Sequence, residues 1–305
     1  MSNLSKLIRE YQILKSRIKS ILHGSIEIRE RNNNKYIYVR YRDGAISTSK
    51  YVGVYSEELI NVITNNNFIV AQYKKQLKDI KKELKKIQYE TSELTDAVKL
   101  NIDFARRNLV ESIYKQAILE GVATTYSNTE TIIEGGKVKN MTSKDISKII
   151  NLKHAWEFIL EEGVITYPTN FNILCEINAI VEDGFSYTAG KIRSLPVKFG
   201  GSSCIPPLPF ESQVKNDLDD ILSNEVSYDV AIELLLYVMK KQLFLDGNKR
   251  TAVILANHYL VSKGLGLIVV PEELVKQFKK HLIDYYEEKN DGIKDFLKIK
   301  CLLKI

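Results

Sequence analysis

The chain has 305 residues, 44% of them hydrophobic and 27% charged, with a formal net charge of +6 at neutral pH. Such proportions fit a globular protein of about two domains. No apolar run approaches the roughly 20 residues that span a bilayer, the start Met-Ser-Asn-Leu-Ser-Lys lacks a leader's apolar core, and Cys175, Cys204 and Cys301 are too far apart for a Cys-x-x-Cys zinc site. The expectation is a cytoplasmic protein with reduced thiols and no membrane contact.

The positive charge is uneven. Residues 1–92 hold eighteen Lys or Arg against nine Asp or Glu, an excess of nine, whereas the remainder holds 26 against 29. Leu4, Leu7, Tyr11, Leu14, Ile18 and Ile21 recur at steps of three and four, which predicts a helix over about 2–22. Three strand-like runs follow at 25–31, 35–42 and 46–54, separated by Asn32-Asn33-Asn34 and by Asp43-Gly44, a strong hairpin signal. A second seam runs through Val70, Tyr73, Leu77, Ile80, Leu84 and Ile87 and ends near Tyr89. Each seam is too short to be stable alone. The expected assembly for 1–92 is therefore a helical coiled-coil hairpin carrying a small three-stranded β-sheet at its tip.

On that sheet Arg29, Arg31, Lys35, Arg40, Arg42 and Lys50 interleave with Tyr36, Tyr38, Tyr41 and Tyr51. One reading is a nucleic-acid grip over residues 25–54, since basic groups hold phosphates and aromatic rings stack on bases. The pattern is similar to the small three-stranded modules found in front of some recombinases and transposases. A second reading has the tyrosines filling the sheet's apolar face while the basic residues keep an exposed edge soluble. A third makes the module a dimerisation arm, giving a homodimer. The run from Lys74 to Lys86 reads as the solvated face of the coiled coil.

Residues 93–305 are mainly helical by pattern, with helices expected near 96–120, 142–162, 170–183, 211–223, 226–241, 249–263 and 271–288. The clear strand material is confined to about 191–205. Within this half the stretch Gln242-Leu-Phe-Leu-Asp-Gly-Asn-Lys-Arg-Thr-Ala252 reads as a phosphate-binding loop entering a helix. Gly247 permits a tight approach, Asn248 is a good N-cap, and the amides of Lys249, Arg250 and Thr251 would point outward toward an anion. Lys249 and Arg250 add positive charge, and Asp246 is a hard oxygen ligand suited to Mg²⁺ on a polyphosphate.

The same stretch resembles the signature of the Fic/Doc family, His-x-Phe-x-(Asp/Glu)-Gly-Asn-(Gly/Lys)-Arg, at Phe244, Asp246, Gly247, Asn248, Lys249 and Arg250. Upstream, Gly190-Lys-Ile-Arg193-Ser-Leu-Pro-Val197 with Gly200-Gly201 and Pro206-Pro207 is similar to the family's flap segment, and 228–241 to its apolar core helix. The resemblance implies a Fic-type helical bundle with a β-hairpin flap that includes Arg193 and aligns a target protein. It also implies a nucleotide with Mg²⁺ on Asp246, phosphates on Gly247, Asn248, Lys249 and Arg250, and transfer of AMP or phosphate to a protein hydroxyl in a cytoplasmic, bacterial-type protein.

The family's base is missing, because Gln242 stands where its His would be. A primary amide cannot take a proton near neutral pH, so base-catalysed transfer is disabled at this position while the cradle remains. Two outcomes stay open: transfer by other means, or a pseudoenzyme kept for regulation or interaction. Lys249 and Val253 further resemble the Doc-like branch, whose best-known activity is phosphorylation. His258 should lie about 12 Å along its helix from the loop, too far to replace the base, and Tyr237 and Lys241 are nearer. Many family members carry an inhibitory Glu that pairs with the motif Arg. The stretch from Tyr126 to Gly135 offers Glu130 and Glu134 for that role.

Overall fold

The computed structural model describes residues 3–31, 34–43, 46–86, 94–199 and 204–305. The chain divides into two compact units, Asn3–Tyr89 and Glu90–Ile305, the latter with Met1–Ser2. The expected boundary at 92/93 lies outside the described residues.

The first unit runs α1 (Asn3–Ser20), β1 (Ser25–Arg31), β2 (Asn34–Asp43), β3 (Ile46–Val54) and α2 (Glu57–Lys86). The sheet is antiparallel in the order β1-β2-β3. Lys81 lies over the ring of Tyr11 and Arg17 over that of Tyr73, so α1 and α2 run in opposite directions. Ile8, Leu14, Val70, Ile80 and Leu84 are buried along the seam; the side chain of Leu4, and Ile87 altogether, lie outside the described residues. The second helix starts well before its first seam residue because its opening turns serve the sheet. Leu59, Ile60 and Ile63 pack with Ile26, Ile37, Val39 and Val52. Gly24 makes the corner between α1 and β1 at φ +140°, where a Cβ would lie 2.5 Å from the Arg40 carbonyl oxygen.

Side chains alternate across a strand. Ile37 and Val39 are fully buried against α2, which leaves Tyr36 and Tyr38 on the opposite face, with Tyr51 directly across from Tyr38. These three tyrosines therefore do not fill the apolar face. That face is aliphatic, and the second reading of the sheet is corrected for them. The side chains of Tyr41 and Arg42 lie outside the described residues.

The second unit contains α3 (Asp96–Arg107), α4 (Leu109–Leu119), α5 (Tyr126–Ile133), α6 (Ser143–Ile159), α7 (Glu162–Ile165), α8 (Phe171–Val181), α9 (Glu211–Leu222), α10 (Tyr228–Lys241), α11 (Asn248–Ser262), β4 (Leu267–Ile268), α12 (Val275–Tyr286), α13 (Ile293–Lys300) and β5 (Leu302–Leu303). Helix α11 is its axis. Asn248 and every residue from Arg250 to Val261 are buried, and α3, α6, α8 and α10 all pack against it. A helix buried on every side belongs at the centre of a core.

The helix expected over 96–120 is broken at Asn108, where the side-chain Nδ2 donates to Phe104 O at 2.8 Å and one residue leaves helical geometry. Among the described residues no helix is long and apolar enough to cross a membrane. Burial pushes the thiols of Cys175 and Cys301 up to about 12.

Candidate functional site

The loop between α10 and α11 begins where α10 stops. Gln242 takes a left-handed conformation (φ 46°, ψ 62°) and caps α10 through its own amide, which donates to Val238 O. Its side chain is fully engaged. Nε2 donates to Met239 O at 2.8 Å, Oε1 accepts from Asn248 Nδ2 at 3.1 Å, and the Tyr286 hydroxyl is a further partner. The residue standing for the family His is thus a structural tie.

Asn248 does not act as an N-cap. It is the first residue of α11, preceded by Gly247 as the cap residue, and no side chain caps that position. Its amide reaches backward instead, accepting from Phe244 N at 2.9 Å and donating to Phe244 O at 2.8 Å. The turn is thereby cross-braced. The Thr251 amide, expected to point outward, instead donates to Gly247 O at 2.8 Å, and only the amides ahead of it in the first turn are left to another acceptor. Gly247 is obligatory twice over: φ is +74°, and a Cβ would meet Glu182 Oε1 at 2.6 Å. Asp246 is 77% exposed, with Oδ1 accepting from the Gly247 amide at 2.7 Å.

Arg250 is the buried centre of the site. Its guanidinium Nη2 lies 2.7 Å from Glu182 Oε1, and its Nε lies 3.4 Å from Glu120 Oε2 without hydrogen-bond geometry. Nη2 also lies 3.8 Å from Asp246 Oδ1, and Lys249 Nζ lies 3.3 Å from Glu120 Oε1. Burial raises the carboxyl of Glu182 above the ordinary carboxylate range, with Arg250 opposing the shift. Arg250 therefore pairs with Glu120 and Glu182, and neither Glu130 nor Glu134 is among its partners. Glu130 is half-buried on α5, and Glu134 is exposed at that helix's end. The expected inhibitory contact is replaced by a pair of helix-end carboxylates.

Glu120 and Glu182 are the C-cap residues of α4 and α8. A carboxylate there opposes the helix dipole, so an acidic C-cap implies a cation nearby, and that was the available signal in the sequence. Two buried amides were not legible as site residues. Asn178 donates to Asp246 O and Thr251 Oγ1, both at 3.1 Å, and accepts from Gly190 N at 2.9 Å. Gln116 donates to Arg250 O at 2.9 Å.

Arg193 is buried and works entirely through carbonyls. It donates to Gln242 O at 2.5 Å, Leu195 O at 2.8 Å and Pro207 O at 2.7 Å. It thereby closes the end of α10 and ties together two arms, 191–199 and 204–210. These arms carry no strand, and residues 200–203 between them lie outside the described residues. The expected hairpin pairing is absent from the described arms because Pro196, Pro206, Pro207 and Pro209 have no amide hydrogen to give a ladder. Phe199 of the first arm stacks on Tyr286, centroids 3.9 Å apart. A groove of about 900 Å³ lies between these arms, Lys240, Lys241 and Tyr286.

The alternative bases are otherwise engaged. His258 is fully buried, with Nε2 3.0 Å from Val164 O and Nδ1 2.8 Å from Thr169 Oγ1. A carbonyl can only accept, so Nε2 carries the proton, and burial holds the imidazole down at about 4. Tyr237 donates to Asp217 at 2.8 Å, and burial raises its phenol. Among the described residues no three His, Cys, Asp or Glu side chains form a metal cluster. Asp246 fits an Mg²⁺ that arrives on a polyphosphate, because such an ion takes one or two carboxylates plus phosphate oxygens. It does not fit a resident ion.

A helical bundle that closes a Gly-Asn loop over a buried arginine, with proline-rich arms beside it, defines a Fic-type domain. The Fic/DOC family model matches residues 168–260. The chain is similar in fold to Fic-1 (residues 134–508 of that protein) from C. elegans, at 17% identity and a TM-score of 0.53, covering 80% of this chain and 73% of that one. A Fic domain-containing signalling protein from Bacteroides thetaiotaomicron gives 20%, 0.53, 65% and 79%, in the same order. A Fic family protein from Desulfovibrio desulfuricans gives 15%, 0.51, 68% and 72%. No curated protein matches the chain.

Proposed function

We propose that the second unit binds a nucleotide or a related phosphate ligand with Mg²⁺ over the start of α11, as a Fic-type domain that has lost its base. The observation that carries this reading is the buried Arg250 beneath an uncapped helix start, with one tight carboxylate partner and one slack one. A phosphate at that point trades a 3.4 Å ion pair for short charge-assisted hydrogen bonds. In this reading the amides at the start of α11 hold the phosphate, Lys249 neutralises its outer charge, and Asp246 holds the metal. The bound Mg²⁺ supplies further charge neutralisation on the phosphates.

At position 242 an amide cannot accept a proton. AMP or phosphate transfer to a protein hydroxyl held along the 191–207 groove would rest on positioning and charge alone, about 10²–10⁴-fold below base-assisted transfer. A binding domain with a regulatory role is the favoured reading. Calorimetry with ATP and Mg²⁺ is expected to show binding that Lys249→Ala weakens by about 1–3 kcal/mol. Incubation of Gln242→His with α- and γ-labelled ATP and lysate is expected to label a protein that wild type labels weakly or not at all. A folded protein that binds neither ATP, GTP nor inorganic phosphate overturns the reading.

For the first unit we propose an acidic partner, nucleic acid, on the strength of the excess of nine positive charges in residues 1–92.

A further inference from the structure

The alternation of β1, β2 and β3 sorts the first unit's sheet into two unlike faces. The inner face is aliphatic and covered by α2. The outer face carries Glu27 and Arg29 from β1, Tyr36, Tyr38 and Arg40 from β2, and Ser49 and Tyr51 from β3, because Glu27 pairs with Tyr38, Arg29 with Tyr36, Tyr38 with Tyr51 and Arg40 with Ser49. Arg29 and Arg40 are each 54% exposed and Tyr51 is 51% exposed.

The groups on this face are fixed in place. Glu27 sits between the two arginines, 2.8 Å from Arg29 and 3.6 Å from Arg40, and accepts from Ser49 Oγ at 3.1 Å. It draws both guanidinia onto one carboxylate, and those hydrogen bonds and charges keep its carboxyl below the usual range. Arg29 lies 4.3 Å over the Tyr38 ring. Tyr51 meets Tyr38 at 5.5 Å and Tyr36 at 6.2 Å, with ring planes 63° and 58° apart. A hollow of about 630 Å³ beside Arg40 is lined also by Lys74, Asn67, Val70 and Ala71 of α2.

We propose that this outer face docks on duplex DNA, in the major groove. The proposal rests on the nucleic-acid reading of the first unit and names the surface and the form of the partner. Three features select a duplex. The tyrosines pack edge-on against one another, and Arg29 covers Tyr38, so the face offers a ridge of hydroxyls and guanidinia in place of open platforms for unstacked bases. Three strands span about 10 Å between the outer two, comparable with a B-form major groove of about 12 Å, whereas the A-form groove of RNA is too narrow to read. The exposed Arg29 and Arg40, drawn together on Glu27, supply phosphate contacts. Glu27 places a carboxylate at the centre of the ridge, where its charge opposes phosphate.

The test is a salt titration of the full-length protein against a mixed-sequence DNA duplex and against its single strand. For wild type, duplex affinity is expected to exceed single-strand affinity and to fall steeply with salt. Arg29→Ala with Arg40→Ala should flatten the log–log slope by about two units, one for each phosphate that no longer meets a guanidinium. Lys78→Ala with Lys82→Ala, on the solvated side of α2, should leave duplex affinity within about twofold. Glu27→Gln should tighten duplex binding at least threefold by removing the opposing charge. Circular dichroism melting confirms that each variant is folded. If the α2 pair abolishes binding while the sheet pair does not, the docking face is wrong and the nucleic-acid reading stands. A single strand bound more tightly than duplex overturns the groove geometry. No binding of either by folded protein at low salt overturns both.

Discussion

Arg250 is gripped unequally by its two carboxylates, and the inequality predicts different outcomes for removing each. Glu182 is 2% exposed and 2.7 Å away, whereas Glu120 is 11% exposed and reaches Arg250 and Lys249 only at 3.3–3.4 Å. Breaking the tight pair strands a buried charge, so Glu182→Gln should cost about 3 kcal/mol in urea denaturation. Glu120→Gln removes a carboxylate that competes with phosphate for the same cations, and should leave stability nearly unchanged while tightening ATP binding about tenfold, or 1.4 kcal/mol. Calorimetry on the two variants separates the cases, and equal effects from both would contradict the assignment. The sequence made Lys249, Arg250 and Asp246 visible because loop and helix start are contiguous in the chain. It hid Glu120 and Glu182 because their meeting with Arg250 is a long-range event. Glu130 and Glu134 looked suitable by spacing, yet the packing of α4 and α8 decided the contact.

At the level of elements, the flap is organised by one side chain where a ladder was expected. Arg193 donates to carbonyls of both arms and to the last turn of α10, so the arms and the Gln242 corner form one unit. Lysine keeps the charge but loses the planar fork that serves several acceptors together. Arg193→Lys should therefore loosen the arms without unfolding the core, which limited proteolysis would report as new cleavage between Leu195 and Pro209, with little change in melting temperature. Unaltered cleavage would show that the prolines alone hold the arms. The prolines were visible in the sequence, but the strand reading at about 191–205 gave their missing amides too little weight. Helices α8, α10 and α11 were legible because each has a long apolar run or a Gly-Asn start. Eight-residue helices such as α5 and α13 span barely two turns, too few for a period to stand out. The split at Asn108 falls where a side-chain amide donates to the carbonyl four residues back, a local contact that no hydrophobic period reveals.

For the molecule as a whole, the charge step near residue 92 and the change from seam-and-strand to globular helical pattern were the sequence's grounds for dividing the chain, and the structure divides into Asn3–Tyr89 and Glu90–Ile305. The first unit's strands were read within one residue of their observed ends at each terminus, because period-two alternation and turn residues act locally. What the pattern left open was which face the tyrosines take, and that was settled by the burial of Ile37 and Val39. Separate cores predict separate unfolding. Residues 3–86 bury a short helical seam and one face of a three-stranded sheet, whereas the second unit closes around α11 and the fully buried Trp156, whose indole donates to Gln116 at 3.2 Å. Trp156 is the chain's single tryptophan, so its fluorescence reports the second unit alone, while far-UV circular dichroism reports the helices of both. In urea the circular dichroism signal should begin to fall before the fluorescence does, because a smaller core exposes less surface and carries less stability. ATP with Mg²⁺ should shift the fluorescence transition to higher urea by binding only the folded second unit, and leave the earlier phase in place. Coincident transitions by both probes, moving together with ATP, would mean that the chain unfolds as a single cooperative body.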